Sequence, residues 1–374
     1  MRQAQGQTIL ERILLVTFDP PENIGGIEGR SKNYARELRR RGYFVDVMSL
    51  SPSYPPTRAL TEPGVTTRLN SSTLQAPSSL ATTIRIVTRD ALTTVLLVSG
   101  SLTVFGLTLM AFCRMSGRHT VAFLYGRDIL VARNSVIGRV LLLFALRLAD
   151  NVATNSRFTS GLLPKGGKYL LVFPAVDPRI LDMTTATRLN DDSVRILFVG
   201  RLVERKGADL LLKVFGDLVT QIPRAKLDIV GDGPESGSLR DLARKLDVQD
   251  KVSFHGALVG TPLYDLFVLS DVLVMPSRTT KVDVEGFGTV FLEAGLFGKP
   301  SVATRTGGIP EAILDEETGL LVPEDDPRAL AGALRRILTD QELRQRLGAR
   351  ARDRAATQFS LDRAIDALEK AIRE

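Results

Sequence analysis

The chain is short of the residues that build disulfides, zinc sites and base-stacking surfaces. Its 374 residues include one cysteine, two histidines and no tryptophan, and aromatic residues make up 6% of the total. The single Cys113 excludes an internal disulfide, and two histidines leave little material for a zinc site. No basic run is interleaved with aromatics that could stack on bases. We therefore expect no nucleic-acid partner, and any metal would have to rest on carboxylates.

Export and membrane insertion also lack a clear signal. The first 18 residues contain no uninterrupted apolar segment followed by a small-residue cleavage site, which predicts a cytoplasmic protein. Residues 91–113 are uncharged and long enough to cross a bilayer. A turn at 99–101 divides them, however, and a buried strand over 93–98 followed by a helix over 102–115 explains them without lipid.

Basic residues are concentrated in the first half of the chain. Residues 1–180 contain 22 Lys and Arg against 11 Asp and Glu, although the whole chain carries a net charge of only +7. Such an excess attracts an anionic membrane surface or an anionic substrate, and scattered solvated arginines would explain it equally well. The candidate contact for a peripheral anionic membrane is a cluster at the end of the first predicted helix: Lys32, Arg36, Arg39, Arg40 and Arg41.

Strand-like and helix-like patterns alternate along the whole chain. A chain of this length calls for two domains, and the alternation restarts after a linker-like stretch at 174–192. Repeated βα units predict parallel sheets with right-handed crossovers. The predicted fold class is therefore α/β, with two doubly wound Rossmann-like domains, 1–175 and 176–360, facing each other across a cleft. The C-terminal helix, 361–374, is expected to pack back on the first domain.

Two segments complete this outline. Residues 51–79 are rich in Pro, Ser and Thr, which predicts a long loop or a partly ordered insertion. After a strand over 301–303, the pattern predicts helices up to the C-terminus.

The loop after the predicted strand 194–199 points to an anionic ligand. In open α/β sheets, ligands bind outside the carboxyl ends of the strands. Arg201 supplies a planar fork for phosphate oxygens and Lys206 supplies a compact charge, and both can reach the cleft from this loop. Cations are otherwise disfavoured at a helix start. The pair therefore predicts a pyrophosphate site.

The segment EGFGTVFLEAGLFGKP contains a second signal. Free backbone N–H groups of Phe287, Gly288 and Thr289 at a helix start would attract phosphate. Glu285 and Glu293 lie eight positions apart and would bind sugar hydroxyls at the two ends of one extended ligand. A buried helix with two surface glutamates is the plainer alternative.

Successive blocks of the sequence share the order and spacing of a known family. They run from Ile13 to Leu334 and include FVGRLVERKGADLLL, LDIVGDGP and EGFGTVFLEAGLFGKPSVATRTGGIPE. They resemble the family 4 retaining glycosyltransferases, which have the GT-B fold. The resemblance implies transfer of a hexose-type sugar from a UDP- or GDP-sugar donor, with retained anomeric configuration and without a metal or other cofactor. The implied acceptor is a glycan, a lipid-linked molecule or a small molecule.

The resemblance also implies a role for each candidate residue. Arg201 and Lys206 match the pair that grips the donor pyrophosphate. Glu285 matches the glutamate that binds donor-sugar hydroxyls, and Glu293 matches the one that holds the ribose. Backbone contacts are implied for the glycine loop near the acceptor, Gly25 and Gly26, and for Phe287, Gly288 and Thr289.

One position departs from the family pattern. Many relatives carry a histidine near the reacting sugar where this chain has Tyr125. A tyrosine can hydrogen-bond a sugar hydroxyl, but an ordinary pKa of about 10 makes it a poor base at neutral pH. A retaining front-face reaction can instead let the leaving phosphate oxygen accept the acceptor proton. Two alternatives stay open: a sugar-nucleotide 2-epimerase and a non-catalytic nucleotide-sugar-binding protein.

Overall fold

Strands and helices alternate along the chain in the computed structural model, which describes residues 11–17, 26–49, 92–187 and 192–373. The described residues divide into two units. The first contains those up to Asn155, those in Thr159–Phe173 and those from Leu361 onward, and the second contains Ser156–Phe158 and Pro174–Ser360. The insertion predicted at 51–79 lies outside the described residues.

The first unit contains a six-stranded, all-parallel sheet in the order β2-β1-β3-β4-β5-β6. Its strands are β1 Arg12–Thr17, β2 Phe44–Ser49, β3 Leu92–Leu97, β4 His119–Leu124, β5 Asn151–Thr154 and β6 Leu170–Leu171. The helices between them are α1 Gly26–Arg40, α2 Val104–Met115, α3 Gly126–Arg133, α4 Val136–Leu148 and α5 Arg157–Gly161. Parallel neighbours need crossover connections, and described helices lie between β1 and β2, between β3 and β4, between β4 and β5, and between β5 and β6.

The uncharged run predicted to be a strand and a helix is β3 followed by α2. β3 pairs with β1 on one side and with β4 on the other, so its apolar residues are buried in the middle of the sheet. α2 begins after Thr103, whose side chain accepts a hydrogen bond from Gly106 N at 3.0 Å. Within the described ranges, no helix has both the length and the apolar character needed to cross a membrane.

The second unit contains another six-stranded parallel sheet, in the order β12-β11-β10-β7-β8-β9. Its strands are β7 Val194–Val199, β8 Ala225–Val230, β9 Val252–Gly256, β10 Val272–Met275, β11 Ser301–Thr304 and β12 Gly319–Val322. Its helices are α6 Ala208–Gln221, α7 Ser236–Lys245, α8 Thr261–Leu269, α9 Thr289–Leu296, α10 Ile309–Ala312, α11 Pro327–Thr339 and α12 Gln341–Gln358. The strand order reverses between β7 and β10, so the loops after these neighbouring strands lead away in opposite directions and leave a crevice at their ends.

Strand β12 corrects the prediction of helices from residue 304 to the C-terminus. It has four residues and pairs with β11 at the edge of the sheet. Its apolar residues are buried, yet the segment is too short for a period of two to be distinguished from a helical turn. Helix α10 ends at Ala312, and the turn between it and β12 contains Glu316 in a left-handed conformation at φ 62°.

The chain ends in helix α13, Leu361–Arg373, which belongs to the first unit. Its apolar face is buried, with Ile365 and Leu368 fully inaccessible. Opposite charges also join it to the end of α1, where Arg41 lies 2.5 Å from Asp366 and 3.2 Å from Glu369.

Arg39, Arg40 and Arg41, part of the cluster predicted to contact a membrane, all have partners within the protein. Arg40 pairs with Glu37 at 2.6 Å and with Asp362 of α13 at 3.1 Å, and Arg39 donates to the carbonyl oxygen of Val45 at 2.6 Å. The cluster is therefore offset by carboxylates that lie more than 320 positions away in sequence.

Candidate functional site

The loops that follow β7 and β10 meet in the second unit and carry most of the predicted site residues. The first loop, 200–207, ends in a 3-10 turn, Glu204–Lys206, and then in Gly207 at φ 71°. A Cβ at Gly207 would lie 2.0 Å from the carbonyl oxygen of Pro276, so only glycine fits. The backbone N–H of Arg278 donates to the carbonyl oxygen of Arg205 at 2.7 Å. These contacts fix one loop against the other.

An ion cluster lies where the two loops meet. Lys206 Nζ is 2.5 Å from Glu285 Oε2, and a guanidinium nitrogen of Arg205 is 2.9 Å from the same oxygen. Arg205 Nε is 2.9 Å from Asp283 Oδ2. The side chains of Arg205, Lys206 and Glu285 are only 11–15% exposed. Two cations thus converge on one carboxylate in a poorly hydrated position.

This arrangement keeps Glu285 ionised. Burial opposes the charged form, but attraction to Lys206 and Arg205 and the hydrogen bonds from both outweigh it and lower the pKa of Glu285 to about 2. At neutral pH the carboxylate therefore accepts hydrogen bonds and cannot donate a proton.

Two glycines of the loop after β11 hold the backbone of Glu285. Gly308 N donates to the carbonyl oxygen of Glu285 at 2.9 Å. A Cβ at Gly307 would lie 2.1 Å from the carbonyl oxygen of Glu285, and one at Gly308 would lie 2.1 Å from that of Gly286. The close approach of two backbones explains why the segment after β11 reads TGG.

The start of α9 follows directly from this loop. Phe287 is 1% exposed and packs edge-on against Phe359, with ring centroids 5.3 Å apart. Gly288 takes a left-handed conformation at φ 88°, after which Thr289 begins the helix. Phe291 N donates to the carbonyl oxygen of Gly288 at 3.1 Å, and the N–H groups of the first turn form the positive end of the helix. The predicted start of a helix at Thr289, after a glycine turn, is confirmed.

Glu293 lies one turn into α9 and differs sharply from Glu285. It is partly buried, and no hydrogen bond or ion pair of its carboxylate occurs within the described part of the chain. Burial raises the pKa of Glu293 to about 7. The carboxyl group is therefore divided between its neutral and charged forms near neutral pH.

Arg201 lies two residues after the end of β7 and precedes Arg205 and Lys206 in the same loop. Its side chain is exposed, and among the described residues it makes no hydrogen bond or ion pair. The aliphatic part of Lys206 lies beside Gly200, where a Cβ would be 3.6 Å from Lys206 Cδ. Arg201 therefore begins next to the stem of Lys206, with its guanidinium available to a ligand.

The remaining predicted residues belong to the first unit. The hydroxyl of Tyr125 donates to the carbonyl oxygen of Val98 at 2.9 Å and accepts from Arg30 at 3.4 Å. Burial raises the pKa of Tyr125 well above its usual range, which removes it further from service as a base. Gly26 begins α1, and Gly25 lies outside the described residues.

Arg205 and Asp283 are the charged site residues that sequence reasoning missed. Arg205 stands beside Lys206 in the ERKG turn, and adjacency in sequence gives no sign that both side chains meet one carboxylate 80 positions away. Across the described ranges, no group of three or more His, Cys, Asp and Glu side chains is placed to hold a metal ion.

Comparisons with known proteins cover the two loops of this site and the fold of the chain. Residues 182–354, which include both loops, match the model of the family described as glycosyl transferases group 1. The chain is 34% identical over 218 residues to the GDP-mannose-dependent alpha-(1-6)-phosphatidylinositol monomannoside mannosyltransferase of Mycobacterium tuberculosis, a match covering 56% of each chain. The chain thus spans about half the length of the curated relatives it matches.

Solved structures match nearly the whole chain. Sucrose-phosphate synthase from Thermosynechococcus elongatus superposes with a TM-score of 0.76 at 21% identity, covering 97% of this chain and 98% of that one. Anabaena HepE in complex with UDP and glucose gives 0.75 at 19% identity, covering 97% and 99%. The predicted GT-B class, with two Rossmann-like parallel sheets, is confirmed by these matches.

Proposed function

We propose that the chain is a retaining, metal-independent glycosyltransferase that moves a hexose-type sugar from a UDP- or GDP-sugar to a glycan, lipid-linked or small-molecule acceptor. The observation that carries the proposal is the ion cluster of Arg205, Lys206 and Glu285 at the strand reversal, beside the start of α9. The cations of this cluster suit a diphosphate, and its ionised carboxylate suits sugar hydroxyls. The helix N–H groups suit the phosphate that is joined to the sugar. The mannosyltransferase relative and UDP-bound HepE support both nucleotides as candidates.

In this proposal the cations act on the leaving group. As the glycosidic bond lengthens, negative charge grows on the departing diphosphate and positive charge grows on the anomeric carbon. Arg201 is exposed and Lys206 exchanges part of its contact with Glu285 for a phosphate oxygen, so both meet the growing negative charge. Fixed charges in a poorly hydrated site stabilise such a transition state most effectively.

Glu285 then orients the sugar, and Arg205 holds the carboxylate of Glu285 in place. Because Arg205 reaches the same oxygen as Lys206, the carboxylate retains one cationic partner when Lys206 turns to phosphate. Both cations contact Oε2 of Glu285, and its second oxygen is proposed to accept hydrogen bonds from sugar hydroxyls. Glu293, without a protein partner in the described chain, is proposed to accept from the ribose hydroxyls.

No side chain in the described residues is proposed as the general base. Glu285 has too low a pKa, and the hydroxyl of Tyr125 is already donated to Val98. The departing phosphate oxygen therefore accepts the proton of the acceptor hydroxyl on the same face of the sugar, which retains the anomeric configuration. Phe287, Gly288 and Thr289 are proposed to supply backbone contacts around the phosphates, and Gly25 and Gly26 are proposed as further backbone contacts to the substrates.

Peripheral association with an anionic membrane is part of the proposal. The first half of the chain carries the basic excess, and the name of the mycobacterial relative describes a phosphatidylinositol-based acceptor. A lipid acceptor stays in its bilayer, so an enzyme that uses one must approach the surface.

A donor panel tests the proposed function. UDP-, GDP- and ADP-sugars are compared for thermal stabilisation of the protein and then for release of nucleoside diphosphate, with the anomeric configuration of the product read by NMR. Lys206→Ala and Arg201→Ala should each weaken donor use by about ten- to a hundredfold, whereas Arg350→Ala, on an exposed turn of α12, should not. Binding without turnover would leave a non-catalytic protein, and C2 inversion of the sugar would leave an epimerase.

A further inference from the structure

Helix α4, Val136–Leu148, presents large apolar side chains to solvent. Val136 is 76% exposed and Ile137 is 73% exposed. Val140, Leu143 and Phe144 are 44%, 47% and 52% exposed, respectively. These five positions follow the i, i+1, i+4, i+7, i+8 spacing, so they form one continuous stripe along the helix, here called the α4 stripe. Contiguous apolar surface of this kind marks a site of interaction.

The opposite face of α4 is also apolar. Leu142 and Ala145 are buried in the core of the first unit, and Leu146 and Leu148 pack partly against it. A helix at the surface of a soluble domain normally turns polar residues outward, whereas α4 is apolar on both faces. Its 13 residues are about 20 Å long, too short to cross the hydrocarbon core of a bilayer. The helix can lie on a membrane but cannot span one.

The surroundings of the stripe are cationic. Between residues 126 and 150 the chain has four arginines and two acidic residues, Asp128 and Asp150, and the carboxylate of Asp150 accepts from Thr120 N at 2.8 Å. All four arginines have exposed side chains: Arg127, Arg133, Arg139 and Arg147. The carboxylate of Asp128 accepts from the backbone N–H of Tyr125 at 3.2 Å, which uses it locally. Nothing comparable to the α13 carboxylates, which offset the Arg39–Arg41 cluster, lies within this segment.

We propose that the α4 stripe and its four arginines bind the surface of an anionic lipid bilayer, with the apolar side chains inserted among the acyl chains and the guanidinium groups at the lipid phosphates. An apolar stripe flanked by cations is the pattern of a helix that lies in the membrane interface. A second copy of the chain fits less well, because self-pairing through α4 would bring four arginines against four. This surface deepens the membrane association proposed above, but it lies in the first unit and does not depend on the donor site.

Cosedimentation with vesicles tests the surface without any donor or acceptor. The full chain should bind vesicles of phosphatidylglycerol and phosphatidylcholine at low salt, bind less at high salt, and bind pure phosphatidylcholine weakly. Phe144→Glu should lower binding by about tenfold or more, because it places a charge at an inserted position. Val259→Glu, which replaces a residue 54% exposed in the second unit, is the matched control and should bind as the wild type does.

The cationic half of the surface has its own matched pair. Arg139→Gln with Arg147→Gln should reduce binding to anionic vesicles and leave the weak binding to neutral vesicles unchanged. Arg350→Gln with Arg352→Gln removes the same charge from the exposed face of α12 and should have no effect. Melting temperatures equal to that of the wild type show that the variants fold.

Three results would overturn the proposal. One is that the chain fails to bind anionic vesicles, and another is that the α4 variants bind as well as their controls. The third is a dimer in sedimentation velocity that Phe144→Glu dissociates, since the stripe would then be a protein interface. In each case, release of nucleoside diphosphate in solution still reports separately on the proposed enzyme.

Discussion

Glu285 and Glu293 are eight positions apart, and their pKa values are shifted in opposite directions because their neighbours differ. Both lose water, which favours the neutral acid. Two cations touch Glu285 and reverse that effect, whereas no cation touches Glu293 within the described residues. The two carboxyl groups should therefore respond differently to pH and to removal of their charge.

The stability contributed by Glu293 should depend on pH. Its pKa of about 7 in the folded protein lies above the ordinary value of 4.5, so its contribution is complete below pH 4.5 and is lost as the pH rises through 7. Glu293→Gln removes the ionisable group and should raise the free energy of unfolding at pH 8, relative to the wild type, by up to about 3 kcal/mol. At pH 5 the difference should be small.

Urea unfolding at both pH values, followed by circular dichroism, measures this difference. The exposed Glu342 supplies the control, and Glu342→Gln should show no such change between pH 5 and pH 8. A Glu293→Gln variant that is equally stable relative to wild type at both pH values would show that the carboxyl titrates normally.

Arg205 and Lys206 should separate into a positioning residue and a phosphate ligand. Lys206→Met should weaken both nucleoside diphosphate and donor, because it removes a cation from the proposed pyrophosphate site. Arg205→Met should leave nucleoside diphosphate affinity nearly unchanged and lower kcat by about tenfold or more, because Glu285 loses the partner that orients it. Calorimetry gives the affinity and initial rates give kcat. Equal losses of nucleoside diphosphate affinity in the two variants would contradict this division.

At the scale of elements, the fit between the loop after β10 and the loop after β11 should control the site. Gly308 has an ordinary φ of −87°, so the obstacle to a larger residue is the close contact that a Cβ there would make with the backbone of Gly286 and Phe287. Gly308→Ala should destabilise the fold by about 1–3 kcal/mol and raise the KM for donor, since the backbone of Glu285 must move. Thermal unfolding and donor kinetics measure the two effects.

Gly332 is the matched control for this change. It lies inside α11, and a Cβ added there would meet no atom within 4 Å, so Gly332→Ala should stabilise the fold by about 0.5–1 kcal/mol. If Gly308→Ala behaved in the same way, the contact between the two loops would be unimportant.

The sequence predicted those elements whose pattern is long or whose chemistry is local. Strands such as β7 and helices such as α6 follow from apolar runs and helical periodicity, and the start of α9 follows from its glycine turn. Strand β12 was missed because a short apolar run fits a strand and a helical turn equally well, and this one was assigned to a helix. The pairing of Arg205 with Glu285 was missed because it depends on two loops from different strands meeting at one oxygen.

At the scale of the whole molecule, local sequence does not show which surfaces are covered by residues far away in the chain. Arg39, Arg40 and Arg41 read locally as a solvent-facing basic cluster, but α13 supplies carboxylates more than 320 positions away. The apolar stripe of α4 shows the reverse case, because its sequence reads as a helix for the core and its position leaves half of that helix in solvent. Local sequence determined the helices, and long-range packing determined which of their faces are free.

Two kinds of interaction attach α13 to the first unit, the ion pairs of Arg41 and the burial of its apolar face. Arg41 faces Asp362 and Asp366, which are 67% and 65% exposed, and Glu369, which is 16% exposed. Exposed ion pairs contribute at most about 1 kcal/mol, and a charge-assisted hydrogen bond to the less exposed Glu369 adds about 1 kcal/mol more. Leu368 is fully buried, and truncating such a residue costs about 2–5 kcal/mol. Apolar packing should therefore dominate over charge.

Leu368→Ala should lower the free energy of unfolding of the first unit by about 2–5 kcal/mol, and Arg41→Met should lower it by about 1–2 kcal/mol. The smaller effect should shrink further in high salt, which screens exposed charges, whereas the larger one should persist. Urea unfolding at low and high salt, followed by circular dichroism because the chain has no tryptophan, compares the two. Leu143→Ala in the exposed stripe of α4 controls for the loss of a leucine side chain as such and should have little effect. A loss from Arg41→Met as large as that from Leu368→Ala would mean that the ion pairs, and not the buried face, hold α13 in place.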